Sequence, residues 1–154
     1  MPAPAIRRVV TGHNEAGLSV VALDDHAQGD VTTQVWETAS PVSNHLDDWE
    51  VGRRQPGPTI PKGSALRIVD INPGYRSAMH RTGTVDYVFI LDGELEMELD
   101  GGEWVHLMAG DIVVQRGTNH AWENKSSGIC RLAAVLMAAE PVVVNGKILE
   151  PTMI

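Results

Sequence analysis

The chain has 154 residues, 43% of them hydrophobic and 21% charged, with a formal net charge of −8. One domain with its own core fits this length and composition. The acidity excludes a phosphate-binding footprint, and so nucleic acid as a partner, because Arg7-Arg8 and Arg53-Arg54 are isolated basic pairs.

No apolar run of about 18 residues occurs, which argues against a membrane partner. The opening Met1-Pro2-Ala3-Pro4-Ala5 lacks the apolar segment of a secretory signal. A single cysteine, Cys130, rules out an intrachain disulfide and suits a reducing cytoplasm, the expected location. Its apolar surroundings predict a buried, inert thiol.

In chain order, short apolar runs predict strands at Leu18–Leu23, Val31–Glu37, Ala65–Ile71, Val85–Leu91, Glu94–Asp100, Trp104–Leu107, Ile112–Gln115, His120–Asn124 and Ile129–Met137. Between the second and third lies a stretch, 38–63, rich in Pro, Gly and Asp, which reads as an irregular arm leading into the body of the fold. Turn signals follow at Asn72-Pro73-Gly74, Asp92-Gly93 and Asp100-Gly101-Gly102. No stretch holds helical periodicity over three turns. The fold class is all-β, a sandwich or barrel.

Two strands carry extra information. Glu94–Asp100 alternates acidic and apolar residues, so one face is wet and its carboxylates read as solvated surface. In Val85–Leu91, Asp86, Val88 and Ile90 point one way and Val85, Tyr87, Phe89 and Leu91 the other. Both faces are largely apolar, so this strand needs a second layer outside it, from the N-terminal third or a second subunit.

By the same alternation Arg67 shares a face with Val69 and Ile71. Such an arginine either lines a polar cavity, where it suits a ligand carboxylate or enolate, or pairs with a carboxylate at the surface. Gly110 through Asn124 reads as strand, glycine turn and a second strand that holds His120 rigidly. Trp122 shares the face of His120. His13, His26, His45 and His106 fall in loops or on wet faces, and Arg116 at the turn before Gly117 reads as structural or interfacial.

Gly74-Tyr75-Arg76-Ser77-Ala78-Met79-His80-Arg81-Thr82-Gly83-Thr84-Val85-Asp86, followed by Gly93, resembles the first cupin motif. Gly74, His80 and Gly93 stand at its positions, while Thr82 replaces its second histidine and Asp86 its glutamate. Gly110, Asp111, Gly117, His120 and Asn124 resemble the second motif, with Gln115 in place of a proline. The sixteen residues from Glu94 to Ala109 separate the two, close to the spacing of small single-domain cupins.

The resemblance implies a jelly-roll barrel, the cupin-type double-stranded β-helix, with its core over 64–140, residues 1–63 packing on it and 141–154 as a C-terminal segment. It also implies a homodimer and a divalent metal (Fe, Zn or Mn) in the barrel. Here the ligands left for that metal are His80, Asp86 and His120, with Thr82 at the vacant position, a two-histidine, one-carboxylate set. Without a metal, Asp86 would orient His80 and the histidines would carry protons. Arg67, Thr82 and Trp122 would line the substrate pocket. Three functions are compatible with this: a lyase or isomerase acting on a carbonyl- or carboxylate-bearing metabolite, a non-haem Fe(II) dioxygenase, and a ligand-binding cupin without turnover.

Overall fold

The structure is a computed structural model that describes residues 6–13, 18–38 and 62–152. Most of the expected arm, with His45 and the Arg53-Arg54 pair, lies outside the described residues, as do the side chains of Arg7, Arg8 and His13. The described residues form strands, bridges and turns, and none of them is helical.

In chain order the strands are β1 (Ile6–His13), β2 (Ser19–Ala27), β3 (Thr32–Thr38), β4 (Ser64–Ile71), β5 (Thr84–Asp92), β6 (Glu94–Leu99), β7 (Trp104–Met108), β8 (Ile112–Arg116), β9 (His120–Glu123), β10 (Cys130–Ala138), β11 (Val142–Val144) and β12 (Lys147–Leu149). All nine expected strands are present, with ends shifted by a few residues. β1, β11 and β12 were not expected. The last two are three residues each, too short for alternation to register.

A five-stranded antiparallel sheet in the order β3-β4-β10-β5-β8 faces a three-stranded sheet in the order β7-β6-β9. These are the two walls of a jelly-roll barrel. Because β3 completes the larger wall, the first third of the chain supplies part of the barrel itself. The hairpins β1-β2 and β11-β12 are separate two-stranded sheets.

Apolar side chains alternate inward from both walls and meet in one core, where Ile71, Val88 and Ile90 from the larger sheet pack with Leu95, Met97 and Leu107 from the smaller. Each such burial removes enough apolar area from water to stabilise the fold by about 1.5–3 kcal/mol. Cys130 belongs to this core and is fully buried, and burial pushes its thiol up to about 11, as expected of an inert thiol.

Gly93 closes the β5-β6 turn at φ +77°, where a Cβ would stand 2.7 Å from the Ile129 carbonyl oxygen. Only glycine fits that approach. The acidic face of β6 is less purely solvated than expected: Glu98 pairs with Arg76, and the imidazole of His106 lies 2.9 Å from Glu96.

The outer face of β5 is partly open in the single chain, among the described residues. Thr84, Asp86, Val88 and Ile90 are buried inward, but Tyr87 and Leu91 keep 41% and 51% of their surface exposed. Ile112 and Val114 beside them on β8 are exposed as well. The β1-β2 hairpin touches β3, at the opposite edge of the sheet, so among the described residues it does not supply this cover.

Candidate functional site

The site forms where two stretches of chain are drawn together along β9. Residues 74–80 run beside that strand as an irregular extra strand. The Gly74 N–H donates to the Asn124 carbonyl, the Asn124 N–H to Tyr75, and the Ser77 N–H to Trp122. His80 and His120 complete the series, each donating its N–H to the carbonyl of the other at 2.9 Å. The two imidazoles are therefore neighbours, with ring centroids 4.2 Å apart and planes inclined by 51°.

Both rings are oriented the same way. Nδ1 of His80 lies 2.9 Å from the Ala78 carbonyl oxygen, and Nδ1 of His120 lies 2.9 Å from that of Thr118. A carbonyl oxygen only accepts, so Nδ1 carries the hydrogen on each neutral ring and Nε2 keeps a lone pair. Both residues line one cavity of about 800 Å³ and are almost fully buried. Burial depresses the His120 imidazole from 6.5 to about 4, and His80 adds to this, while the Thr118 carbonyl works against it. His120 is thus uncharged at neutral pH.

Asp86 enters the same cavity from β5. Its carboxylate accepts hydrogen bonds from the hydroxyls of Thr84 and Thr82, the latter at 3.4 Å. Burial nevertheless holds the carboxyl above its usual range, against the opposing pull of Thr84, Thr82, Arg67 and His80. Arg67 lines the cavity, in keeping with its alternation with Val69 and Ile71, and its Nε donates to Gln34 Oε1 at 3.3 Å. Desolvation lowers its pKa, while Glu37 and Asp86 favour its charge. Trp122 presents an edge to His120 at 5.4 Å between centroids and also lines the cavity.

Every candidate residue taken from the sequence, His80, Thr82, Asp86, His120, Arg67 and Trp122, therefore faces one space. Among the described residues no three His, Cys, Asp or Glu side chains converge as a group that would hold a metal ion. His80 and His120 have the orientation of metal-binding histidines, with Nδ1 tied to a carbonyl. Asp86 shares their cavity, with its carboxylate hydrogen-bonded by Thr82 and Thr84. Among the described residues, His80 and His120 fit two positions of a metal centre.

Other parts of the two motifs are structural. Asn124, fully buried, donates to the Ile71 and Gly128 carbonyls and accepts from Ser126 N and Oγ. Asp111 accepts the Met108 N–H at 2.8 Å and shapes the turn into β8. Arg116, expected to be structural or interfacial, is exposed at the cavity mouth.

Sequence reasoning passes over Thr84 and the segment 138–152. For Thr84 a signal exists, since it shares the inward face with Asp86 two residues on. For the segment none does, because only tertiary packing puts Val142, Leu149 and Thr152 at the cavity.

A model of the cupin domain matches residues 67–137. Over 157 residues the chain is 35% identical to a cupin-domain-containing oxidoreductase of Aspergillus ruber, covering 93% of this chain and 77% of that protein. A cupin-domain-containing oxidoreductase of Neurospora crassa is 31% identical over 163 residues, covering 97% and 83%. A phomopsin biosynthesis cluster protein of Diaporthe leptostromiformis is 50% identical over 95 residues, covering 61% of this chain and 50% of that protein. The chain thus spans about half the length of the curated relatives that match it at this higher identity.

Proposed function

Since the chain belongs to the cupin family, we propose that its barrel interior is the active site of a small-molecule enzyme, a lyase or isomerase that moves a proton next to a carbonyl or carboxylate. One observation carries this reading: two imidazoles with Nδ1 tied to backbone carbonyls share a cavity with a carboxyl whose pKa is raised. Environments that push a base down and an acid up supply the two halves of a proton transfer.

The imidazole pair takes the proton from the carbon beside the substrate carbonyl at Nε2. Asp86, in its protonated form, donates to the oxygen or carbon that gains charge, and Thr82 and Thr84 orient it. Arg67 offers a guanidinium to a ligand carboxylate, and Trp122 packs against a planar substrate. Barrel walls keep bulk water away from the transfer, which strengthens each of these interactions.

Hydrogen–deuterium exchange at the α-carbon of simple ketones and keto acids in heavy water tests the reading by NMR. Wild-type protein should accelerate exchange, and His120→Gln should slow the enzymatic rate by about 10²–10⁴-fold. Equal rates for wild type, His80→Gln and His120→Gln would overturn the proton-transfer reading.

The relatives named oxidoreductases favour a second reading, redox chemistry in the same cavity. It calls for a metal or other redox group in addition to His80 and His120. Oxygen uptake that depends on added Fe(II) and disappears in His80→Gln would decide for it.

The apolar outer face of β5 and β8, carrying Tyr87, Ile112 and Val114, supports a homodimer in which a second copy covers it. The acidic charge and the barrel interior support a small-molecule ligand, not nucleic acid, and the single buried thiol of Cys130 supports a cytoplasmic location.

A further inference from the structure

The cavity that holds His80 and His120 is closed on one side by a segment beyond the matched cupin domain, which ends at residue 137. After β10 the chain folds back as the β11-β12 hairpin, whose Asn145-Gly146 turn has φ of 50° and 75°. Two left-handed residues in a row make the turn that joins short antiparallel strands.

In this hairpin Val142 stands opposite Leu149, and both side chains face the cavity. Val143 and Ile148, the next pair, face outward and are 59% and 55% exposed.

Anchors on the barrel rim hold the segment in place. The Ala139 N–H donates to the Gly83 carbonyl at 3.2 Å. Thr152 donates its N–H to the Arg81 carbonyl at 2.9 Å, and its hydroxyl accepts the Arg81 N–H at 2.7 Å. Val142 packs so closely on Gly117 that a Cβ there would stand 2.8 Å from Val142 Cγ2. A two-stranded hairpin has little stability of its own, so these rim contacts decide its position.

We propose that the β11-β12 hairpin is the specificity element of the site: Val142 and Leu149 form an apolar ceiling that selects a carbonyl compound bearing an apolar tail. The proposal rests on the carbonyl reading above and adds the substrate class. Three observations support it. A cavity of about 800 Å³ lies toward the upper end of small-molecule sites, so a substrate of a few carbon atoms would leave most of it to water. Its wall includes Val69, Val88, Leu132 and Leu136 as well as the polar cluster. Glu140 and Glu150 of the same segment also line the cavity, but Val142 and Leu149 are apolar, so the part of a ligand that reaches these two gains by being hydrocarbon.

Calorimetric titration with a homologous series of alkyl phenyl ketones, from propiophenone to decanophenone, tests this. Wild-type affinity should rise with chain length to a maximum. Leu149→Trp should move that maximum to a shorter ketone and weaken the longest at least about tenfold, whereas Val142→Ala with Leu149→Ala should move it to a longer one. Val143→Trp, on the outward face of the same hairpin, should keep the wild-type order.

Ketones that bind in the same order to every variant would overturn the hairpin's role while leaving the carbonyl reading intact. An equal shift in Val143→Trp would also overturn it, since that would report a loosened hairpin and not a ceiling. Binding of no ketone to any folded variant would bring down the carbonyl reading and this proposal together.

Discussion

His80 and His120 exchange backbone hydrogen bonds of 2.9 Å in both directions, although they are far apart in sequence and only one of them lies in a named strand. This bridge sets their rings 4.2 Å apart and turns both Nδ1 atoms to the carbonyl two residues earlier. The chemistry proposed for the barrel starts from that pairing.

The depressed His120 imidazole links stability to pH. Between pH 6.5 and about 4 the unfolded chain takes up a proton here that the folded chain refuses, so stability falls as pH drops through this window. The full effect is about 3 kcal/mol, and it is absent above pH 6.5. Asp86 works in the opposite sense, because its raised pKa lets the folded state protonate first and so favours folding as pH falls. Urea unfolding of wild type and His120→Gln from pH 7 to 4 should show a shallower decline in the variant. Parallel curves would refute the assignment.

Thr82 lines the cavity close to Asp86, at the place where the first motif has its second histidine. Thr82→His should supply a third imidazole beside His80 and His120 and raise retention of Zn²⁺ through dialysis at least about tenfold over wild type. Elemental analysis reads this directly. Equal metal content in the two proteins would mean that the position does not face the histidine pair.

Asn124 makes four side-chain hydrogen bonds with no exposure to water. Asn124→Ala leaves the Ile71 and Gly128 carbonyls without that donor and should cost about 3 kcal/mol. For a chain of this size that is a fall in Tm of about 6–12 °C. Thermal melts with an unchanged midpoint would show that water replaces the side chain without loss.

The outer face of β5 and β8 is where a second copy would sit in the proposed homodimer. Tyr87 pairs with Val114 across the two strands, and both are exposed in the single chain. Val114→Lys should place a charge in that contact and convert a dimer to a monomer in sedimentation at micromolar concentration. A monomeric wild-type protein would end the dimer reading.

The strand pattern and the two motifs are local properties, and the sequence carries them openly. Alternation in Glu94–Leu99 and Thr84–Asp92 marks inward and outward residues because strand geometry has a period of two. For the same reason Arg67 falls on the face of Val69 and Ile71, which proves to be the face that lines the cavity. Gly93 and Asn124 are legible as motif positions, though not as the close approach to Ile129 and the fourfold hydrogen-bonded turn they prove to be.

Three matters are decided only when distant segments pack. His120 of β9 and Asp86 of β5 come to one cavity only because those strands belong to the two facing walls, which spacing does not encode. The depression of the His120 imidazole comes from burial by residues of several strands, so no neighbouring letter announces it. The ceiling of the cavity comes from a hairpin of two three-residue strands, too short for periodicity and placed by contacts with Gly83, Arg81 and Gly117 on the rim. By itself the sequence determined the all-β class, through local alternation and turn chemistry, and its two cupin-like motifs pointed to the barrel and to His80, Thr82, Asp86 and His120 inside it. Which of those residues act together, and what closes over them, follows from long-range packing, and only the tertiary structure decided it.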